Sequence, residues 1–287
     1  MPTTSRQALR SGLAERLDPR LHVRLFWLWH RRWAVGELTL IRNLVAPGDV
    51  VVDIGAHRGL YSGALARVVG RTGHVHAFEP NPYLWPRLQR LADAYGNVTL
   101  HRVALSDTRG AGVLHVPRVA GIDRGALASL SGRPVVGQES STKIPVTLAT
   151  LDDYLPELGT VDFVKCDVEG HERQVLQGAH EVLRVARPYL LIEIEERHAS
   201  GGVCVTVEIL GRLGYEAYFV QESRCMPFAD FDLGLHQTRF YDADATDPLP
   251  LSYVRNFVFL PNSRRGRQQP DAGSELPQAR DRLPVNR

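Results

Sequence analysis

After Pro47-Gly48-Asp49 the chain alternates short apolar runs with amphipathic stretches, and this alternation limits the folds open to it. The apolar runs are DVVVDIG, HVHAFEP, NVTLHRVALSD, VDFVKCDVEG, PYLLIEIEE, GYEAYFV and YVRNFVFL. Each has the length of a strand. Helices are expected between them, over 60–69, 84–94, 172–183 and 203–213. Strands alternating with helices of about 10 to 15 residues predict an α/β fold, a mostly parallel sheet covered on both faces. The runs VVV and YLLIEI suit strands buried on both sides.

Two segments interrupt the pattern. Residues 110–144 are rich in Gly, Ser and Arg, and predict a hairpin around VLHV with a loop. Residues 222–250 are irregular and carry several acids. Long irregular insertions in a compact domain are often functional loops. Beyond Pro261 the chain is poor in apolar residues and rich in Arg, Pro and Gln, which predicts a disordered tail. The expected organisation is a helical extension over 1–45, a main domain over 46–261 and a tail over 262–287.

The extension is arginine-rich. Residues 21–33 (LHVRLFWLWHRRW) set Phe26, Trp27, Trp29 and Trp33 beside Arg31 and Arg32. That pattern suits a membrane surface. Packing of the aromatics on the main domain or a second subunit is the favoured alternative, because helical aromatic clusters usually face a core. A net charge of only +2 argues against a nucleic-acid binder. The three cysteines, Cys166, Cys204 and Cys225, are far apart and form no CxxC. Neither a disulfide framework nor a structural zinc site is expected. Met1 to Gly12 has no apolar run before a cleavage site, and no run of about 20 apolar residues exists. A reducing, cytoplasmic setting is the expectation.

The chemistry gathers at strand ends. Asp53-x-Gly55-x-x-x-Gly59 closes the first strand. Gly55 permits a sharp turn and close approach of a ligand; Gly59 lets the next helix begin close beneath. The helix start presents free amides. In open α/β sheets ligands sit beyond the carboxyl ends of strands. The spacing is not the G-x-G-x-x-G of dinucleotide sites. Asp53 would repel a pyrophosphate, whereas a carboxylate suits the cationic amine of S-adenosylmethionine. Glu79, in AFEP, ends the next strand roughly 20 residues after Gly59, where an acid accepts from ribose hydroxyls. Asp167, Glu169 and Glu172 crowd the end of VDFVK, an expensive arrangement. A helix cap explains one of them but not the cluster. Glu193, Glu195 and His198 follow at the end of the next strand.

The stretches VVDIGAHRGLYS, HAFEPNP, NVTLHRVALSD, VTLATLDDYL, VDFVKCDVEGHERQVLQGA, RPYLLIEIE and RNFVFLP together resemble the FkbM family of S-adenosylmethionine-dependent methyltransferases. FEPNP combined with KxDVEGxE is the most specific part, and the likeness covers roughly residues 50–261. It implies the Rossmann-like, seven-stranded class I methyltransferase sheet, with its last strand antiparallel. It implies that Asp53, Gly55, Ala56, His57 and Gly59 surround the methionine part of the donor. Glu79 would hold the ribose, Pro80 would pack near the adenine, and Ala104 and Leu105 would line the adenine pocket. Asp167 would lie close to the transferred methyl. Family members mostly methylate hydroxyl oxygens of sugars, glycans or polyketides. His57-Arg58 departs from the family's common Asn-Ile.

Methyl transfer from a sulfonium needs positioning above all, and a base for the acceptor hydroxyl. The catalytic candidates are Asp167, Glu169 and His171, with Glu193 and His198 behind them. His171 has the pKa best matched to neutrality, although a surface helix position would also suit it. Asp167, Glu169 and Glu193 are possible oxygen ligands, but no spacing demands a metal and none is expected. The rival readings are an NAD(P)-dependent oxidoreductase and a donor-binding module without catalysis. The acceptor is expected to be a small molecule or glycan.

Overall fold

The computed structural model describes residues 17–29, 31–119, 122–123, 125–134, 138–221, 224–241, 250 and 252–262. In chain order its main elements are α1 (Pro19–Trp29), α2 (Arg31–Leu44), β1 (Val50–Ile54), α3 (Leu60–Val69), β2 (His74–Phe78), α4 (Trp85–Tyr95), β3 (Val98–His101), β4 (Ala104–Leu105) and β5 (Gly110–Val119). They continue with β6 (Ile122–Asp123), β7 (Gln138–Ala149), α5 (Leu155–Leu158), β8 (Phe163–Cys166), α6 (Glu172–Gln177), β9 (Tyr189–Glu193) and α7 (Gly202–Arg212). The last are β10 (Tyr215–Gln221), β11 (Arg224–Pro227), α8 (Leu233–His236) and β12 (Asn256–Pro261).

The large sheet has the order β11-β10-β12-β9-β8-β1-β2-β3. Neighbours from β3 to β9 run parallel. β12 is antiparallel to both β9 and β10. This is the expected doubly wound sheet with an antiparallel last strand. It gains one short edge strand, because Arg224–Pro227 folds back on β10 where irregular chain was expected. An edge strand leaves one row of amides and carbonyls unpaired, and the adjoining segment satisfies part of that row.

The run NVTLHRVALSD is not one strand. The chain leaves the large sheet after His101, and Ala104 and Leu105 pair instead with Leu148 and Ala149 in a second, four-stranded sheet. That sheet is built on a long antiparallel pair, β5 with β7, in place of a short hairpin and loop. Its inner face buries Ala104, Leu114, Val116, Ile144 and Val146, at alternate positions as a half-buried strand requires.

The helix expected over 172–183 stops at Gln177. A Cβ on Gly178 would lie 1.9 Å from the Ser106 carbonyl oxygen, so only glycine admits this approach. The chain restarts in a π-helical turn, Val182–Ala186. The Asp152 carboxylate accepts from the Glu181 and Val182 amides, each at 3.0 Å.

The N-terminal helices pack on the domain. Leu40, Ile41 and Leu44 share a buried cluster with Val51, Leu65, Val75 and Phe163. Trp27 is 8% exposed, donates its indole N–H to the Leu60 carbonyl at 3.2 Å, and meets Tyr61 edge to face. Phe26 stands edge to face against Trp27. The side chains of Trp29 and Trp33 lie outside the described residues, as does the tail over 263–287. No helix among the described residues is long and apolar enough to cross a membrane.

Candidate active site

The turn after β1 is stitched to the end of β2. The Gly55 and Ala56 amides both donate to the Phe78 carbonyl at 3.0 Å, and the His57 amide donates to Glu79 Oε2 at 2.7 Å. Gly55 has φ +77°, and a Cβ there would sit 1.9 Å from the Asp167 carbonyl oxygen. The turns after β1 and β8 therefore touch backbone to backbone. His57 takes a left-handed φ of 48° without being glycine, a strained conformation of the kind found at ligand sites.

These turns bound an open cavity of about 710 Å3, counting its mouth, at the carboxyl ends of β1, β2 and β8. Of the residues expected to hold a donor, Gly55, His57, Glu79, Pro80, Ala104, Leu105 and Asp167 line it, and Glu169 and His171 join them. Asp53, Ala56 and Gly59 are not on the wall. Asp53 is 1% exposed and accepts the Ser62 hydroxyl at 2.5 Å. Burial raises its pKa to about 6 against the opposing Ser62 bond and Lys165 charge. Ala56 packs against Ala77 and Leu88. A Cβ on Gly59 would meet Leu88 and Leu91 of α4 within 2.9 Å. These three residues shape the wall from behind.

Glu79 is held in place. Its two oxygens accept from the His57 and Asn81 amides at 2.7 and 2.8 Å, which leaves each oxygen a further lone pair. Burial raises its pKa to about 7, opposed by those amides and reinforced by Asp53 and Asp167. Beside it Phe78, Val103, Ala104, Leu105, Leu114 and Leu130 make an apolar slot. The second sheet and the segment between β6 and β7 thus supply one side of the cavity through Leu114, Gly125, Ala128 and Leu130. Residue spacing did not place them there, since the pairing of β5 with β7 brings them in.

Lys165 is the charged residue beside the cavity that the motifs left without a role. It is fully buried on β8, 3.5 Å from Asp167 Oδ2, with its ammonium 4.9 Å from the Tyr61 ring centre. Burial lowers its pKa, but Asp167, Glu193 and Asp53 outweigh burial and the net shift is upward. Glu193 is pushed well up by burial and by Asp167. The signal was present in the sequence: a lone lysine in an apolar central strand must find counter-charges.

Two further networks reach the mouth. Glu169, at φ 52°, pairs with His198 Nδ1 at 2.5 Å. Burial opposes the charge on His198, yet Glu169 and Glu195 raise its pKa on balance. Glu195 is taken by Arg197 at 2.8 Å and by the Tyr253 hydroxyl. Glu169, Glu195 and His198 are metal-ligand types lying close together, but these partners already balance their charges. On the opposite side, Ser106 Oγ donates to Asp107 Oδ1 at 3.1 Å and lies 2.9 Å from His171 Nε2. With its one proton given to Asp107, Ser106 accepts from Nε2–H. The lone pair of His171 is then on Nδ1. Burial lowers the pKa of His171, which keeps the imidazole neutral near neutral pH.

The chain is thus a doubly wound α/β protein with an acid-lined, partly apolar cavity at its strand ends, where folds of this class place their ligands. Residues 53–223 match the family model described as the methyltransferase FkbM domain, and the chain belongs to that family. It is 32% identical over 175 residues to the hexuronic acid methyltransferase AglP of Haloferax volcanii, covering 58% of this chain and 66% of that protein. It is 29% identical over 169 residues to the 31-O-demethyl-FK506 methyltransferase FkbM of Streptomyces tacrolimicus, covering 47% and 61%. The chain thus spans less than two thirds of the length of either relative. A crystal structure of a methyltransferase FkbM from Methylobacillus flagellatus KT superposes with a TM-score of 0.45 at 16% identity, over 87% of this chain and 57% of that one.

Proposed function

We propose that the chain is an S-adenosylmethionine-dependent O-methyltransferase acting on a hydroxyl of a sugar, glycan or polyketide-type small molecule. One observation carries this reading: a fixed carboxylate, Glu79, stands between an apolar slot and an acid-rich pocket at the ends of β1, β2 and β8. The donor set fits the chemistry of that ligand. The slot suits a purine, Glu79 has lone pairs for ribose hydroxyls, and Asp167 offers negative charge to an ammonium and a sulfonium. The names of the two relatives, a hexuronic acid methyltransferase and a 31-O-demethyl-FK506 methyltransferase, support the acceptor class.

When bound, S-adenosylmethionine supplies an activated methyl group. The protein's part is to orient and to accept a proton. Gly55 brings the turn against the Asp167 backbone; Glu79 would hold the ribose, and Asp167, paired with Lys165, would offer its charge to the donor's cationic end. His171 Nδ1 would accept the acceptor's hydroxyl proton, with Ser106 and Asp107 holding the ring; the methyl C–S bond of the donor would break with its electron pair left on sulfur. Residues 46–261 are read as the methyltransferase unit, 1–45 as a helical extension and 262–287 as a tail. The three unpaired cysteines suit a reducing cytoplasm.

The test is calorimetric titration with S-adenosylhomocysteine and with NADH, followed by a screen of hydroxylated glycans and natural-product scaffolds with isotope-labelled donor. Binding of S-adenosylhomocysteine and label in a hydroxyl-derived ether support the reading. Binding of NADH alone overturns it. Donor binding with no acceptor ever labelled returns the chain to the class of non-catalytic modules.

A further inference from the structure

Behind the apolar slot, histidines gather on one face of the sheet where β2 meets β3. His74 and His76 are two residues apart on β2 and share a face. His101 ends β3. His76 Nδ1 lies 3.0 Å from His101 Nε2, and the rings stack at 5.3 Å and 20°. Glu157 of α5 brings Oε1 to 3.8 Å from His101 Nε2 and 4.0 Å from His76 Nδ1. The two imidazoles are buried, while the Glu157 side chain is 52% exposed. Three ligand atoms from three elements therefore converge on one point at the protein's surface.

We propose that His76, His101 and Glu157 form a binding site for a divalent transition-metal ion of the zinc class, with solvent completing its coordination. Imidazole and carboxylate donors are the set such ions take. With metal–ligand bonds of about 2.0–2.1 Å, tetrahedral ligand atoms lie roughly 3.3 Å apart. The separations of 3.0, 3.8 and 4.0 Å bracket that value. A small swing of the exposed Glu157 closes the wider pair. The histidines need the tautomers that leave His76 Nδ1 and His101 Nε2 unprotonated, and the ion would replace the 3.0 Å hydrogen bond that joins these two nitrogens. His74 stands outside the group of converging ligand atoms, and its Nε2 lies 2.8 Å from Thr99 Oγ1.

The site would brace the cavity from behind. His101 stacks on Phe78 at 4.3 Å and 15°, and Phe78 lines the apolar slot. An ion would tie β2 and β3 to the helical turn before β8. This inference does not depend on the methyl-transfer reading, and its test uses no activity.

The experiment titrates metal-stripped full-length protein with Zn2+ by calorimetry, follows thermal unfolding, and records the absorption of the Co2+ form. One ion per chain, a raised Tm and a cobalt spectrum without a thiolate band are expected. His76→Ala and His101→Ala should each weaken binding at least about tenfold, with circular dichroism confirming the fold. Glu157→Gln, at an exposed position, should weaken it too and keeps the test open if a histidine variant fails to fold. The proposal falls if Zn2+ neither binds nor stabilises the protein. It falls equally if binding survives in the His76/His101 double variant, follows His198→Ala instead, or shows a thiolate band from Cys204.

Discussion

Lys165 Nζ lies 3.5 Å from Asp167 Oδ2 on the floor of the candidate active site, and it is the buried cation on which Asp53, Asp167 and Glu193 act together. Removing one partner from a buried charge network leaves the others uncompensated. Lys165→Met is expected to destabilise the protein by about 3–5 kcal/mol. Urea unfolding monitored by circular dichroism reads this directly. A variant as stable as the parent would mean that the surrounding carboxylates need no counter-charge.

Gly55 is where the turn after β1 meets the turn after β8. Gly55→Ala combines a left-handed φ with a Cβ 1.9 Å from a backbone oxygen. The strain is on the order of 1–3 kcal/mol before the clash is counted, and the two turns must part to relieve it. S-adenosylhomocysteine binding is expected to be lost. Unchanged affinity in a titration would show that the contact between the turns does not shape the donor pocket.

Glu79 makes the ligand-free protein pH-sensitive in a defined sense. Burial raises its folded pKa to about 7, above the ordinary 4.5. Its contribution to stability is therefore fully present below about pH 4.5 and lost as pH rises through about 7. Glu79→Gln cannot ionise, so it should gain on the parent across that window, by on the order of 3 kcal/mol. Paired denaturation curves at several pH values give the difference. A flat difference would show that Glu79 keeps an ordinary carboxylate pKa in the folded state.

His171 and Ser106 separate base from positioner. His171→Gln is expected to cut kcat by about 10²–10⁴-fold with little change in donor affinity. Ser106→Ala should cause a smaller loss and shift the acid limb of the kcat profile, because the imidazole loses its tautomer lock. Equal losses at every pH in Ser106→Ala would assign Ser106 a purely structural part. Full activity in His171→Gln would move the base elsewhere, to Asp167 or to the Glu169–His198 pair.

Much of the fold was legible in the chain because strand and helix leave different periodicities. The apolar VVV and YLLIEI lie in the centre of the sheet, buried on both faces. The segments that departed from expectation did so through contacts between distant residues. The NVTLHRVALSD run splits because Leu148 and Ala149 offer a second set of partners. The helix at 172–183 breaks because Gly178 lies against Ser106. Neither partner is visible from within the segment itself.

The site divides in the same way. The sequence by itself determined which strand ends carry acids and glycines, since Asp53, Gly55, Glu79 and Asp167 follow apolar runs whose ends a parallel sheet must align. Tertiary structure alone decided which of them face the cavity. Asp53 alternates with Ile54, which lines the cavity, so its side chain turns away to Ser62, while Gly55, already in the turn, and Asp167 stand on the wall. Folding also made Lys165 a shared counter-ion and brought His76, His101 and Glu157 together. Distances between side chains far apart in the chain are set by strand order and packing, which no local pattern encodes.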